Sequence, residues 1–331
     1  MKKSTNQEVV PAGAETLSHH EVERISRYLG ASSSENTRLA YRKAWEDFDR
    51  YCKTNRFTPL PAKPETIMAY LTWLADTGYK PSTIQVRLSA IAFVHARKYA
   101  GNPNYANPAQ SEMVLVIMSG IRRELRGAAS RKDPITRTEL KKMVDELPHD
   151  LHGMRDRAIL LLGFAGALRR SEIVSLDLKH VQFTPKGMTI TLPYSKTDQA
   201  GEGMSKTMAR SKGRLCPVRA LEMWIEEAAI DRGPIFRAID KWGHVRNARL
   251  SDRSVALIVK QAAEMAGLGA FDFSGHSLRA GFVTQAADDG LQEWMIQKVT
   301  GHKSADVLRR YIRNDRKAQS DAISHVLGDD E

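Results

Sequence analysis

The sequence predicts a two-domain protein that is mainly α-helical, with an N-terminal helical bundle followed by a mixed α/β domain whose sheet is small and antiparallel. Three observations lead there. The chain has 331 residues, more than one hydrophobic core usually holds. Apolar residues recur at helical spacing from residue 17 to 125, with no strand pattern between them. Between residues 181 and 195 the period shifts toward alternation, as Thr189, Thr191 and Pro193 interleave with Ile190, Leu192 and Tyr194.

Composition narrows the partner. Fifty Lys and Arg against 39 Asp and Glu give a net charge of +11, which favours a polyanion, nucleic acid first; a merely well-solvated basic surface is the alternative. Cys52 and Cys216 fall in different domains and show neither metal-ligand nor disulfide spacing, which suits a reducing interior. Residues 1–16 lack an apolar stretch of signal-peptide length, and the longest apolar run, 158–168, is too short to cross a bilayer. A cytoplasmic protein with a disordered tail at 1–16 is the expectation.

In chain order, the domain at 17–126 opens with Val22, Ile25 and Leu29 before Gly30. Ser32 with Glu35 signals a capping box for a helix with Tyr41, Trp45, Phe48 and Cys52 as its core face. Pro64 and Pro81 suit the first turns of two further helices, one carrying Ile67, Leu71 and Leu74 and the other Ile84, Leu88 and Ile91. After a loop at 102–108, a fifth helix uses Val114, Ile117, Met118, Ile121 and Leu125 and ends in basic residues. Arg38, Arg42, Lys43, Arg87, Arg122, Arg123, Arg131 and Lys132 recur over several elements, as a phosphate-tracking surface requires. Such contacts position a duplex without reading its bases. Gln85 and Arg87 are the candidates for base contact.

Residues 127–134, small and charged with a closing proline, form the linker to a domain at 135–331. Thr136 and Glu139 cap a helix with Leu140, Met143, Val144 and Leu147, and a buried helix follows over 155–168. Residues 181–195 read as one strand of a hairpin whose glycine-bearing tip, 195–207, holds Lys196 and Lys206. Two amphipathic helices, at 216–229 and 251–266, precede the final stretch.

That stretch, residues 274–314, carries the chemistry. His276 and Arg279 lie one helical turn apart and can face one pocket. A second helix, 291–300, has Leu291, Trp294, Met295 and Val299 for its apolar face and stops at Gly301, directly before His302. Ser304 caps a third that aims Tyr311 inward. Upstream, a buried run ends in Arg169 and Arg170. Glu172, three residues from Arg169, can orient that guanidinium; a plain surface ion pair is the alternative.

Together Arg169, Lys196, His276, Arg279, His302 and Tyr311 supply what phosphodiester cleavage requires without metal or other cofactor. Two guanidiniums can hold the non-bridging oxygens and stabilise the charge that develops on them. A tyrosine hydroxyl can attack phosphorus once a base takes its proton, and His276 is placed for that. An ammonium on the hairpin can protonate the departing 5′ oxygen. Lys196, anchored at the strand end, is the choice, although Ser-Lys-Thr recurs at Lys206.

At these residues the chain resembles the tyrosine recombinase (phage-type integrase) family, and SGHSLRAG and RRYIRN look closest to its Cre-like branch. The resemblance runs from about Ser34 to the end. In the family an Arg in A-L-R-x-x-E, a hairpin Lys, H-x-x-R, a later His or Trp, and a Tyr form the active site; here these are Arg169, Glu172, Lys196, His276, Arg279, His302 and Tyr311. Thr300-Gly301-His302 follows the majority of the family, since the Cre-like branch has Trp at that place.

The resemblance implies a helical core-binding domain and a catalytic domain clamped around double-stranded DNA with an inverted-repeat site. It implies a 3′-phosphotyrosine intermediate, a Holliday junction and a homotetramer, without ATP or metal. Such an enzyme would work inside a bacterial cell, at the nucleoid when bound. A helix at 316–327, with Ala318, Ala322, Ile323, Val326 and Leu327, would dock in a neighbouring protomer or fold back on its own domain. Two further classes keep the same residues in play: a DNA-binding protein without catalysis, and a relaxing topoisomerase.

Overall fold

A computed structural model describes residues 35–125, 133–193, 203–269 and 273–301. The chain divides into two compact units between Ala129 and Ser130.

The described N-terminal unit is helical: α1 (Glu35–Asn55), α2 (Pro64–Asp76), α3 (Pro81–Lys98), a 3-10 turn at Pro108–Gln110 and α4 (Glu112–Glu124). Pro64 and Pro81 occupy the first turns of α2 and α3, where a missing N–H costs nothing because that donor has no intrahelical acceptor. Phe48, Ile67, Tyr70, Leu71, Leu74, Ile84, Leu88, Ile91, Val114 and Met118 interlock as its core. Each such side chain removed from water contributes about 1.5–3 kcal/mol. A polar thread crosses this bundle: the Tyr70 hydroxyl donates to Asp47 at 3.0 Å, and Arg87 donates to Tyr70 at 2.9 Å while forming an ion pair with Asp47. The helix expected around Val22, Ile25 and Leu29 lies outside the described residues, as does the Ser32 end of the predicted capping box.

In the C-terminal unit, α5 (Arg137–Asp145) starts on the predicted capping box, with Glu139 N–H donating to Thr136 Oγ1 at 3.2 Å and Thr136 N–H to Glu139 Oε2 at 2.6 Å. The buried helix, α6 (Leu151–Ala165), begins earlier than the apolar run suggests, because Asp150 caps it by accepting from Gly153 N–H at 2.9 Å. A short helix, α7 (Arg170–Ser175), follows after a sharp turn.

The stretch at 181–195, expected as a single strand, is two: β1 (Val181–Thr184) and β2 (Gly187–Leu192), joined by a tight turn at Pro185-Lys186. Gly187 is required there, since a Cβ would lie 2.1 Å from the Met208 carbonyl oxygen. The predicted hairpin tip also ends sooner than expected. Met204–Ala209 is a strand, β3, antiparallel to β2, with Ile190 opposite Lys206. Alternation explains the correction, because Lys206 and Met208 point inward while Ser205, Thr207 and Ala209 are exposed.

After α8 (Pro217–Glu227) comes a two-stranded ribbon, β4 (Arg237–Ile239) and β5 (Val245–Arg249), whose short first strand and mostly exposed second strand gave no strand signal. The unit is completed by α9 (Asp252–Met265), α10 (Gly275–Asp288) and α11 (Glu293–Thr300), with Ser251 capping α9 through the Ser254 N–H. The predicted apolar face of α11 is not the buried one. Ile296 and Thr300 turn inward, Ile296 against Val283 and Ala286, while Leu291, Trp294 and Met295 are exposed. Among the described residues no helix is long and apolar enough to cross a membrane.

Candidate active site

The site begins at the turn between α6 and α7. Gly166 caps α6, Ala167 takes a positive φ of 46°, and Arg169 is the N-cap residue of α7. A left-handed alanine is strained, and it turns the chain abruptly out of a buried helix. Glu172, almost wholly buried, then grips Arg169 twice: its Oε2 accepts the Arg169 backbone N–H at 2.9 Å, and its Oε1 accepts from Nη1 at 2.5 Å. The guanidinium is thereby held in one orientation, as a charge-assisted bond with good geometry requires. Arg170 points elsewhere, its aliphatic stem lying where a Cβ on Gly275 would come 2.3 Å from Cδ.

Helix α10 supplies the next groups. Ser274 caps it by accepting from His276 N–H at 3.2 Å, and Ser277 Oγ accepts the Ser274 N–H at 3.0 Å. Gly281 lets the helix approach the chain before α5, because a Cβ there would sit 1.9 Å from the Ile135 carbonyl oxygen. Arg279 is 1% exposed and donates through Nη1 to Ala167 O at 2.7 Å and through Nη2 to Thr300 O at 2.6 Å. His276, at the exposed start of the helix, is held below the ordinary imidazole pKa by desolvation and then by the charges of Arg279, Arg169 and Arg170. A neutral imidazole, able to take a proton, is favoured.

Lys206 completes the cluster from β3. Its ammonium donates to Gly166 O and to Val299 O, each at 2.5 Å. Burial pulls its pKa down to about 8; Glu172 opposes that shift, and Arg279 and Arg169 add to it. Helix α11 ends at Thr300, and Gly301 adopts the left-handed cap at φ 69°.

Of the sequence-predicted residues, Arg169, Glu172, His276 and Arg279 therefore meet around one turn. Lys196, His302 and Tyr311 lie outside the described residues, as do Arg131 and Lys132. Lys206 is the residue that sequence reasoning assigned to a flexible tip. Its signal was the M-x-K-x-M alternation of residues 204–208, which marks a strand with an inward lysine. In the N-terminal unit Arg38, Arg42 and Lys43 are exposed on α1, and Arg122 and Arg123 on α4, where Arg122 donates to Gln85 at 2.5 Å. Arg87 differs from them in its surroundings. Its side chain is 15% exposed and engaged by Asp47 and Tyr70, with the guanidinium 4.7 Å from the Tyr79 ring centroid, so it serves the fold of the bundle.

Comparison with known proteins places this geometry. Residues 134–318 match the model of the phage integrase family, and residues 22–100 match its N-terminal SAM-like domain. The integrase/recombinase xerD homolog of Selenomonas ruminantium is 41% identical over 305 residues, covering 92% of this chain and 89% of that one. The recombinase cre of Escherichia phage P1 is 26% identical over 298 residues, covering 84% of each. Among solved structures, the Tn1549 transposon integrase in complex with transposon right end DNA has the same fold, with a TM-score of 0.59 at 16% identity over 92% of this chain and 97% of that one. The Cre-like wording of the SGHSLRAG motif thus sits in a chain whose overall identity to the xerD homolog is higher. With the family model spanning more than half its length, the chain belongs to the phage integrase family of tyrosine recombinases.

Proposed function

We propose that this chain is a site-specific recombinase that cleaves and rejoins double-stranded DNA through Tyr311. The observation that carries this reading is the convergence of Arg169, held by Glu172, with Arg279 and His276 of α10 around the turn at Ala167. Fixed guanidiniums beside a neutral imidazole are suited to an in-line displacement at a phosphodiester. In the forward step Tyr311 Oη forms a bond to phosphorus and gives its proton to His276. The phosphorus–O5′ bond breaks, and the leaving oxygen takes a proton from Lys196. Arg169, Arg279 and His302 hold the non-bridging oxygens. A 3′-phosphotyrosine and a 5′ hydroxyl result, so attack by a second 5′ hydroxyl restores a phosphodiester with no net input of energy. Two such exchanges pass through a Holliday junction and serve integration, excision or resolution.

The division of labour follows the two units. Residues 17–126 would grip DNA through Arg38, Arg42, Lys43, Arg122 and Arg123, with Arg131 and Lys132 of the 127–134 linker adding phosphate contacts, and residues 135–331 would do the chemistry. Four protomers would assemble on two inverted-repeat sites, in the cytoplasm at the nucleoid. The segment 316–327 would dock in trans. An open groove of about 850 Å³, lined by Leu140, Leu161, Phe164, Leu215 and Phe282 together with Arg137, Lys141 and Arg214, suits an apolar helix face, whether from a neighbour or from the same chain. The test is Tyr311→Phe: retained DNA binding with no covalent adduct is expected, and an adduct that persists on denaturing gels would remove Tyr311 from its role.

A further inference from the structure

Among the described residues Lys206 is the one buried lysine, 6% exposed. The strand that carries it shows what packing alone would use: Met208, the next inward position, is apolar, and Met204, the one before, packs against the same core. An ammonium in that row costs more to bury than a methionine of similar length, so its two carbonyl contacts need a purpose beyond filling space.

The acceptors define it. Lys206 joins Gly166 O to Val299 O, and Arg279 joins Ala167 O to Thr300 O. These are parallel rungs, one residue apart, between the same two segments. Gly166 stands three residues before Arg169, and Val299 three residues before His302. Whatever fixes the two carbonyls fixes the separation between the end of α11 and the turn that leads into Arg169. Arg279, as a phosphate ligand, must also offer donors to the substrate; Lys206 spends two of its three on the frame.

Resting on the recombinase reading above, we propose that Lys206 is a positioning residue for strand cleavage: it ties the end of α11 at Val299 to the turn bearing Arg169. It is distinct from Lys196, the proton donor of the hairpin.

The experiment uses full-length protein and a synthetic duplex of the sequence that the wild type traps covalently. One version carries the normal 5′ oxygen at the scissile phosphate, and the other carries sulfur there, a leaving group that needs no proton. Lys206→Met, and Lys206→Gln should the first fold poorly, lowers adduct formation roughly 100-fold on both duplexes, because a displaced ligand is not repaired by a better leaving group. Lys206→Arg, able to span two carbonyls, recovers most of the rate. Lys196→Ala is rescued by sulfur. Hydrogen exchange over residues 293–302 quickens in Lys206→Met while DNA affinity stays within about twofold of wild type. Rescue of Lys206→Met by sulfur would make Lys206 the acid and overturn the proposal, as would unchanged cleavage or unchanged exchange. Absence of any adduct with the wild type would instead strike the recombinase reading itself.

Discussion

The cations of the two units are used in opposite ways. On α1 and at the end of α4, Arg38, Arg42, Lys43, Arg122 and Arg123 are exposed. In the C-terminal unit Arg279 and Lys206 are buried and Arg169 is pinned by a buried carboxylate, each tied to named backbone or side-chain acceptors. Exposed cations cost little and follow a polyanion in many registers, which suits grip. Buried ones are expensive and hold one geometry, which suits catalysis. Arg87, in the first unit, crosses this division and behaves like the second group.

The comparison breaks most visibly at Arg279. Arg279→Ala removes the guanidinium donors to two backbone carbonyls and a phosphate ligand, so adduct formation falls by about 100- to 1,000-fold and stability by roughly 1–3 kcal/mol. Denaturant unfolding and a cleavage gel measure the two losses, and a cleavage-competent Arg279→Ala would dissolve the distinction. Next in size is the pair Arg87→Ala and Arg42→Ala. Losing Arg87 leaves Asp47 with the Tyr70 hydroxyl but without its ion-pair partner and costs about 1–2 kcal/mol once discounted for partial exposure, with the salt dependence of DNA binding unaltered. Losing Arg42 leaves stability within about 0.5 kcal/mol and lowers the slope of log affinity against log salt by about 0.9.

A smaller effect sharpens the buried side. With the Lys206 pKa at about 8, the charge that strengthens its rung is present below that pH and lost above it, so adduct formation declines as pH rises through about 8. Facing it are Glu172, Arg279 and Arg169. Lys206→Arg, charged throughout, removes that alkaline limb. The sign for stability is opposite: between about 8 and the unfolded lysine value near 10.4 the unfolded chain holds a proton that the folded chain lacks, so the penalty of burying this charge fades as pH rises. Smallest is the acid limb. His276 is held below its ordinary value, so cleavage persists below pH about 6.5, and Arg170→Ala, removing one repelling charge, moves that limb upward.

Much of this was legible in the residues. Helical spacing placed α2, α3 and α4, because each buries one face, and α2 and α3 start on a proline. Arg169, Glu172, His276 and Arg279 were readable because their spacing puts each pair within one turn. Lys206 was misplaced for a physical reason: residues 195–207 carry glycines and polar groups that read as a loop, and only pairing with β2 shows where the strand resumes. The pairing of Arg87 was not readable because its acceptor, Asp47, is 40 residues away, beyond any local pattern. The face of α11 failed for a related cause, since Ile296 packs on Val283 and Ala286 of another helix.

The central claim is that these held cations serve one phosphate attacked by Tyr311. Incubating the full-length protein with cellular DNA, digesting the denatured complex and identifying the modified peptide by mass tests it directly. The account predicts a phosphonucleotide on Tyr311, joined through a 3′ phosphate, with one recurrent DNA sequence attached. A nucleotide on another residue, or a 5′ linkage, would contradict it.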